Sequence, residues 1–241
     1  MVLVKIENLS KTFGQNETLI YALKDLMLTI NRGEYVVFMG PSGAGKSTLL
    51  HVITGLESPT KGIIFIEDKN LDAMSDAEKC DLRREKFGII LQFFNLHPQL
   101  TVAENIELPL MILGVPKSQR KKRIENALEL VAMSKRRNHY PKEISVGEQQ
   151  RIAIARALIM NPKILIADEP TGNLDYENSQ KIIELLHTLQ EKKQLTVIQV
   201  THDASMVHLG DRLIQMEDGK IINDQLIDNI EKVPNYDFYH I

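Results

Sequence analysis

Residues 40–47 read Gly40-Pro41-Ser42-Gly43-Ala44-Gly45-Lys46-Ser47, and this stretch decides the fold. It matches the pattern G-x-x-x-x-G-K-[ST] of a phosphate-binding loop. An apolar run, Tyr35–Met39, precedes it and predicts a buried strand, while a helical pattern over Lys46–Thr54 follows it. Glycines let backbone N–H groups curl around phosphate oxygens, and a helix N-terminus adds a favourable field. The stretch therefore predicts a P-loop, with a chance glycine-rich turn as the alternative.

Two side chains of this loop are suited to chemistry. Lys46 is expected to reach the β- and γ-phosphates of a nucleotide, and the Ser47 hydroxyl is expected to bind Mg²⁺. The predicted nucleotide-binding residues of the loop are Gly40, Pro41, Ser42, Gly43, Ala44, Gly45, Lys46, Ser47 and Thr48.

A second apolar run, Lys163–Ala167, predicts a strand that ends in two carboxylates, Asp168 and Glu169. Ligands of open α/β sheets bind at the carboxyl ends of the strands. Asp168 is suited to holding Mg²⁺ through water, while Glu169 could polarise an attacking water. The pair favours hydrolysis, and the alternative is a polar strand end with no catalytic role.

Short apolar runs alternate with helical periodicity along the chain, which predicts an α/β fold: a P-loop NTPase core with a mainly parallel sheet. Further buried strands are predicted at Phe87–Leu91 and Leu195–Val200. Two runs with more alternation predict a small antiparallel β layer: Val2–Asn8 and Leu23–Ile30. Helices are predicted at Ser118–Met133, Gly147–Met160 and Glu177–Gln190.

We expect a single domain over residues 1–227, with its core at about 1–92 and 159–227. A mostly helical stretch, about 93–158, interrupts the strand series and is interpreted as a helical insertion. The tail, 228–241, lies beyond the last motif and is expected not to belong to the core. Its aromatic residues could instead dock on the domain or on a partner: Tyr236, Phe238 and Tyr239.

A basic run, residues 119–123, lies in the first clear helix of the insertion. One interpretation is a solvated helix face, and the other is a contact with a membrane surface or a partner. The solvated face would lie opposite the apolar residues of the same helix: Ile124, Ala127, Leu128 and Val131.

The amino-acid composition excludes several kinds of site and partner. The chain has 241 residues, 43% hydrophobic and 25% charged, which is enough to bury a core without crosslinks. Twenty-nine basic and 32 acidic residues leave a formal charge of −3, so no strongly positive field argues for a nucleic-acid partner. Cys80 is the only cysteine, which excludes an internal disulfide and a cysteine metal cage and favours a reducing cytosol.

The sequence shows neither a signal peptide nor a membrane-spanning segment. Residues 1–13 lack a charged start, an apolar middle and a small-residue cleavage site. A spanning helix needs roughly 20 apolar residues, whereas the best run, Ile152–Met160, is short and carries Arg156. We expect any link to a membrane to go through a partner.

The stretch Ile144–Arg151, ISVGEQQR, resembles the signature sequence of ABC ATPases, commonly LSGGQ or LSGGE. Residues 168–175, DEPTGNLD, resemble the Walker B acids and D-loop of that family. Thr201-His202-Asp203 is similar to its switch histidine, and Gln92 occupies the place of its Q-loop. The motifs stand in family order from about Leu3 to Ile222.

This resemblance implies the ABC ATPase fold and hydrolysis of ATP with Mg²⁺ as cofactor. It also implies that two copies close head to tail over two ATP molecules, with Ser145 and Gly147 of one copy capping the γ-phosphate bound by the other. Phe13 would stack on adenine, although a plain core residue is an alternative and Tyr21 is a weaker rival. The implied catalytic residues are Glu169, His202, Gln92 and Lys46, and the implied Mg²⁺ ligands are Ser47, Gln92 and Asp168.

Several further runs are similar to the macrolide-efflux and lipoprotein-release group of ABC ATPases, the MacB and LolD type. They are residues 21–25, 39–43, 82–84, 94–96, 104–110 and 170–173. The resemblance implies a subunit at the cytoplasmic face of the cell membrane whose permease partner docks on the helical insertion and exports peptides, lipoproteins or drugs. The alternatives are a mechanical signal transmitter like the cell-division ATPase FtsE, and a soluble ABC protein acting on DNA or ribosomes.

Two positions depart from the family pattern. Phe93 stands where the group often has a second glutamine, and Val146 replaces the first signature glycine. Ser145 and Glu148 fit the capping box S-x-x-E, which places Val146 in the first helical turn with ordinary φ values. We therefore expect Val146 to be tolerated, and the alternative is a degenerate, poorly active site.

Overall fold

The computed structural model describes residues 1–14 and 18–227, and the predicted α/β class is confirmed. Ten strands and six α-helices occur in these ranges, besides short 3₁₀ turns. In chain order they are β1 (Val2–Phe13), β2 (Ile20–Asn31), β3 (Tyr35–Met39), α1 (Lys46–Ile53), β4 (Lys61–Ile66), β5 (Lys69–Asn70), α2 (Asp76–Lys86), β6 (Phe87–Ile90), α3 (Val102–Ile112), α4 (Lys117–Leu130), α5 (Val146–Leu158), β7 (Ile164–Asp168), α6 (Tyr176–Lys193), β8 (Thr196–Thr201), β9 (Arg212–Glu217) and β10 (Lys220–Leu226).

The chain divides into two compact units. The first comprises Met1–Ser75 and Thr196–Ile241, and the second comprises Asp76–Leu195. The second unit contains the whole predicted insertion, 93–158, together with β6, β7, α2 and α6. The predicted tail, 228–241, lies outside the described residues.

The predicted antiparallel layer is present in the first unit, and its strands are longer than expected. Strand β1 pairs with β2 on one side and β4 on the other, so that Lys5 lies opposite both Thr29 and Phe65. Strand β5 extends the sheet beyond β4. The apolar side chains of β1 and β2 are buried at Leu3, Leu9 and Ile30, among others.

The first unit also contains strands of a second sheet, in which β3 lies between β8 and β9. Strand β3 pairs in parallel with β8 and with β9, while β9 and β10 pair in antiparallel fashion. All five residues of β3 are buried. Burial on both faces explains why its sequence is uniformly apolar rather than alternating.

The second unit combines a parallel strand pair with helices. Strand β6 lies beside β7, with Ile90 opposite Ala167. Helices α3 and α4 each contact α5, and most residues from 102 to 158 are helical. Asn105, at 0% exposure, fixes the chain before α3 because its amide donates to the carbonyls of His97, Leu100 and Thr101.

No helix within residues 1–14 and 18–227 is long and apolar enough to cross a bilayer.

Candidate functional site

The P-loop follows β3 and curls because two of its glycines have left-handed φ values, +84° at Gly43 and +95° at Gly45. Lys46 begins α1 and is 7% exposed. Its Nζ donates to the carbonyl oxygens of Gly40 at 2.7 Å and Pro41 at 2.9 Å. The ammonium group therefore lies inside the curl, beside the helix end that attracts anions.

The loop is held against neighbouring strands by close backbone approaches. A Cβ at Gly40 would lie 2.1 Å from the Met216 oxygen of β9, and one at Gly45 would lie 2.4 Å from the Ala22 oxygen of β2. The Ala44 oxygen accepts a hydrogen bond of 3.2 Å from the backbone N–H of Gly219. Because no side chain fits at Gly40 or Gly45, these two glycines set the position of the loop.

Phe13 ends β1 and is 41% exposed, so the alternative of a plain core residue is wrong. The Nζ of Lys11 lies 4.8 Å from its ring centroid. Lys11 also donates to Glu57 Oε2 at 2.8 Å and to the Ser58 oxygen at 2.8 Å. An ammonium group thus covers one face of the ring, and a planar ligand would have to use the other. Tyr21 pairs with Thr12 and is 53% exposed.

His202 follows β8 at the carboxyl edge of the parallel strands. Met39 of β3 pairs with Thr201, so Gly40 and His202 both leave the sheet at this edge. The Thr201 hydroxyl accepts a hydrogen bond of 3.0 Å from the backbone N–H of Asp203, which orders the chain around the exposed histidine. The structure therefore brings the P-loop and His202 to one edge within the first unit.

In the second unit, Gln92 and the acid pair follow the neighbouring strands β6 and β7. Strand β7 ends at Asp168, one residue later than predicted, and Glu169 has a left-handed φ of +46°. The Nε2 of Gln92 and an Oε2 of Glu169 lie 3.1 Å and 3.4 Å from where a Cβ of Gly172 would stand. Asn173 donates to the Gln92 oxygen at 2.8 Å. Gln92 and Glu169 therefore lie together around Gly172.

The capping box predicted at the start of α5 is present. The Ser145 hydroxyl accepts from the Glu148 N–H at 3.2 Å, and Glu148 Oε2 accepts from the Ser145 N–H at 2.8 Å. This hydrogen bond from Ser145 is the main cause that lowers the pKa of Glu148, and Arg136 at 2.9 Å lowers it further. Val146 is the first helical residue and is 47% exposed.

Gly147 is buried against the start of α6 in the same chain. A Cβ there would lie 3.0 Å from Oδ1 of Asn178. Asn178 is fixed in turn, because its backbone N–H and its side-chain amide donate to Asp175 at 2.9 Å and 2.7 Å. Sequence reasoning missed this second demand for glycine at position 147.

A further residue that sequence reasoning missed is Gln150, which is fully buried in α5. Its Nε2 donates to the Pro170 oxygen at 2.5 Å, immediately after Glu169. The helical spacing is the signal that could have identified it. Gln150 stands one turn before the buried Ile154, so it is a polar residue on the packed side of an amphipathic helix.

The predicted Mg²⁺ ligands fit that ion by their donor chemistry. Ser47, Gln92 and Asp168 offer hydroxyl, amide and carboxylate oxygens, and Mg²⁺ takes oxygen donors. Within residues 1–14 and 18–227, no group of three or more His, Cys, Asp or Glu could hold a metal ion. Mg²⁺ is usually held by one or two protein groups together with substrate phosphates.

Comparison with known proteins identifies the family. Residues 23–172 match the model of the ABC transporter family. ABC transporter ATP-binding protein MJ0796 of Methanocaldococcus jannaschii is 43% identical over 92% of this chain and 97% of its own length. Lipoprotein-releasing system ATP-binding protein LolD of Geobacter metallireducens is 38% identical over 92% of this chain and 99% of its own length.

Two further similarities extend this result. Macrolide export ATP-binding/permease protein MacB of Aggregatibacter actinomycetemcomitans is 41% identical over 93% of this chain, which spans 35% of the length of that relative. A solved dimeric structure of the MJ0796 cassette, in a post-hydrolysis state with ADP and Pi, superposes with a TM-score of 0.85 at 41% identity. It covers 95% of this chain and 100% of its own.

The predicted fold and the resemblance to the MacB and LolD group are thereby confirmed. The chain belongs to the ABC transporter family, and it is an ATP-binding, ATP-hydrolysing member of that family.

Proposed function

We propose that this chain is the ATPase subunit of an ABC transporter and drives a separate permease at the cytoplasmic face of the membrane. The permease would export or extrude peptides, lipoproteins or drug-like compounds. The observation that best supports ATP hydrolysis is that Gln92 and Glu169 lie together around Gly172, just after β6 and β7. The names of LolD and MacB, lipoprotein-releasing and macrolide export proteins, support the substrate class.

Each side chain has a role that follows from its chemistry. Lys46 neutralises the β- and γ-phosphates, and Glu169 accepts a proton from the attacking water. His202 contacts the γ-phosphate and helps to orient that water. When bound, Mg²⁺ would be held by Ser47, Gln92 and Asp168 and would offset the charge that develops on the phosphates.

The signature segment serves a second copy of the chain. Ser145 is exposed at the N-terminus of α5, a helix end that attracts anions. We propose that two copies form a head-to-tail dimer in which Ser145 and Gly147 of one copy cap the γ-phosphate bound by the other. The dimeric MJ0796 structure supports this arrangement.

A cavity of about 470 Å³ in the second unit is suited to a short helix of the permease. Its lining is apolar apart from two arginines and comes from β6, α3, α5 and the end of α2: Arg84, Phe87, Gly88, Ile89, Leu108, Pro109, Ile112, Leu113, Arg156, Ala157 and Met160. Arg156 donates to the oxygens of Phe94 and Asn95, and burial lowers its pKa. This arginine therefore joins the cavity to the segment that follows Gln92.

The runner-up function, mechanical signalling through a membrane partner as in FtsE, uses the same ATPase chemistry. The two functions differ in whether a substrate moves. Reconstitution with the permease in proteoliposomes separates them, because only a transporter moves lipoprotein, peptide or drug across or out of the bilayer when ATP is supplied.

Glu169→Gln is expected to retain ATP binding and to lose at least about a hundredfold in turnover, because an amide cannot accept the proton of the attacking water. With ATP and Mg²⁺, the variant should accumulate as a dimer on size-exclusion chromatography. Glu177→Gln is the matched control, since the side chain of this glutamate is 81% exposed and forms an ion pair with Lys181 on the surface of α6. Wild-type turnover in Glu169→Gln would remove this residue from the role of base.

Phe13→Ala is expected to weaken ATP binding by about five- to 150-fold, because base stacking on an aromatic ring is worth ~1–3 kcal/mol. Its affinity for inorganic tripolyphosphate should not change, since that ligand has no base. Lys46→Ala should weaken the binding of both ATP and tripolyphosphate, because it removes a charge that faces the phosphates. Calorimetry with both ligands tests this, and an unchanged ATP affinity in Phe13→Ala would exclude stacking on Phe13.

Val146→Gly is expected to change kcat by less than about tenfold, or ~1.4 kcal/mol, because the backbone at this position does not require glycine. Gly147→Val should cost far more, since it adds a clash and removes a transition-state contact. Steady-state ATPase assays with the membrane partner measure both effects. A large gain in Val146→Gly would show that the signature is degenerate.

Asn178 complicates the interpretation of Gly147→Val, because a Cβ at position 147 meets it within the same chain. The double variant Gly147→Ala/Asn178→Ala removes that clash, with Asn178→Ala as the control. We expect the double variant to unfold at the same denaturant concentration as Asn178→Ala and still to have reduced turnover. Recovery of full turnover would mean that Gly147 serves packing alone.

A further inference from the structure

The charges of helix α4 are arranged against its dipole. The N-terminal end of a helix is positive and favours acids, while the C-terminal end favours cations. The first turn of α4 has no acid, its last turn has no cation, and its N-cap, Pro116, makes no side-chain cap. Its N-terminal half carries only positive charges: Lys117, Arg120, Lys121, Lys122 and Arg123.

The fold neutralises one of these cations. Arg120 donates to Glu107 Oε1 at 3.2 Å and to the Val115 oxygen at 2.6 Å. The side chains of the other four are exposed and make no hydrogen bond or ion pair within the part of the chain that the structure describes: Lys117, Lys121, Lys122 and Arg123. Lys117 and Lys121 also repel each other, because they stand four residues apart on one helix. The arrangement opposes helix stability, and an anionic partner at this end of the helix would offset it.

Exposed apolar side chains lie at the same end of this helix pair. Met111 and Ile112, 50% and 73% exposed, end α3, and the short link 113–116 leads directly into α4. The bond from Arg120 to Val115 holds that link against α4. We call residues 111–123 the α3–α4 tip. Apolar side chains beside flexible lysines are typical of surfaces that enter the headgroup region of anionic bilayers.

We propose that the α3–α4 tip contacts the anionic surface of the lipid bilayer, with Lys117, Lys121 and Lys122 on phosphate headgroups and Met111 in the interface. Nucleic acid is a weaker match, because it would leave the exposed methionine and isoleucine without a partner. The inference rests on the proposed function, since docking on a permease brings the chain to the membrane. Ile112 also lines the docking cavity, so the tip adjoins that surface.

The test uses the purified full-length chain and two kinds of vesicle, phosphatidylcholine alone and phosphatidylcholine mixed with phosphatidylglycerol. Co-sedimentation should show at least about tenfold stronger binding to the mixed vesicles, and salt should weaken it because exposed charges are screened. K121E/K122E should lose at least about tenfold in this binding. The matched control K192E/K193E, at the exposed C-terminal end of α6, makes the same change in charge and should bind as the wild type.

Measurements of stability and catalysis distinguish a lost membrane contact from a damaged fold or a damaged active site. K121E/K122E places acids near the positive end of α4, so its denaturation midpoint should equal or exceed that of the wild type. Basal ATP hydrolysis should stay unchanged, because these lysines are remote in sequence from the catalytic motifs. If the chain bound vesicles but hydrolysed no ATP, the proposed function would be contradicted. The proposed membrane contact of the α3–α4 tip would still be supported.

Several results would overturn the inference. The first is equal binding to neutral and mixed vesicles, and the second is an equal loss in both charge variants. The third is displacement from vesicles by millimolar inorganic phosphate at constant ionic strength, which would indicate a discrete anion site. A loss of RNA or acidic-protein binding in K121E/K122E, with vesicle binding intact, would assign the tip to another partner.

Discussion

At Gly40 and Gly45 the P-loop backbone lies so close to its neighbours that a Cβ would come within 2.1 Å of the Met216 oxygen and 2.4 Å of the Ala22 oxygen. These approaches attach the loop to β9 and β2, while β3 carries it to the sheet edge. The curl that encloses Lys46 therefore depends on the strands of both sheets of the first unit. A phosphate-binding loop needs this rigidity, because its N–H groups stabilise a phosphate only if they are already oriented.

A comparable connection organises the second unit. Gly147 packs on Asn178 near the start of α6, and Gln150 bonds to Pro170, the residue after Glu169. Helix α5 is therefore joined to the backbone that presents the catalytic glutamate and to the helix that follows it. A displacement of the signature segment would be transmitted to Glu169 through these two contacts, since packed interiors transmit strain. In the proposed dimer, such a connection would link the nucleotide capped by one copy with the glutamate of that same copy.

The parts of the fold that could be predicted are those with a local cause. Strand β3 was predicted with its observed bounds because burial on both faces gives an uninterrupted apolar run. Helix α2 was missed because only Lys79 and Leu82 are buried, which leaves no apolar stripe to detect. Strand β10 was missed because most of its side chains are polar and it forms through pairing with β9.

The same distinction applies to the site. The loop, the acid pair and the capping box are short patterns with fixed spacing, and the structure forms the capping box at the two predicted residues, Ser145 and Glu148. Gln150 contacts Pro170, and Gly147 contacts Asn178. These contacts join residues that are distant in sequence, so no spacing rule predicts them. The ammonium group over Phe13 belongs to the same class, because Lys11 is fixed by Glu57, which is distant in sequence.

Position 146 shows how a family pattern and a physical demand can differ. Two adjacent glycines are usual in the signature, yet only the second is required by this chain itself, through Asn178. The first position has helical backbone and a side chain that is 47% exposed, so nothing within the described residues restricts its size. A demand for a small residue there would have to arise from a surface outside the described residues. In the proposed dimer that surface belongs to the second copy, which must leave room for an isopropyl group beside the γ-phosphate that Ser145 caps.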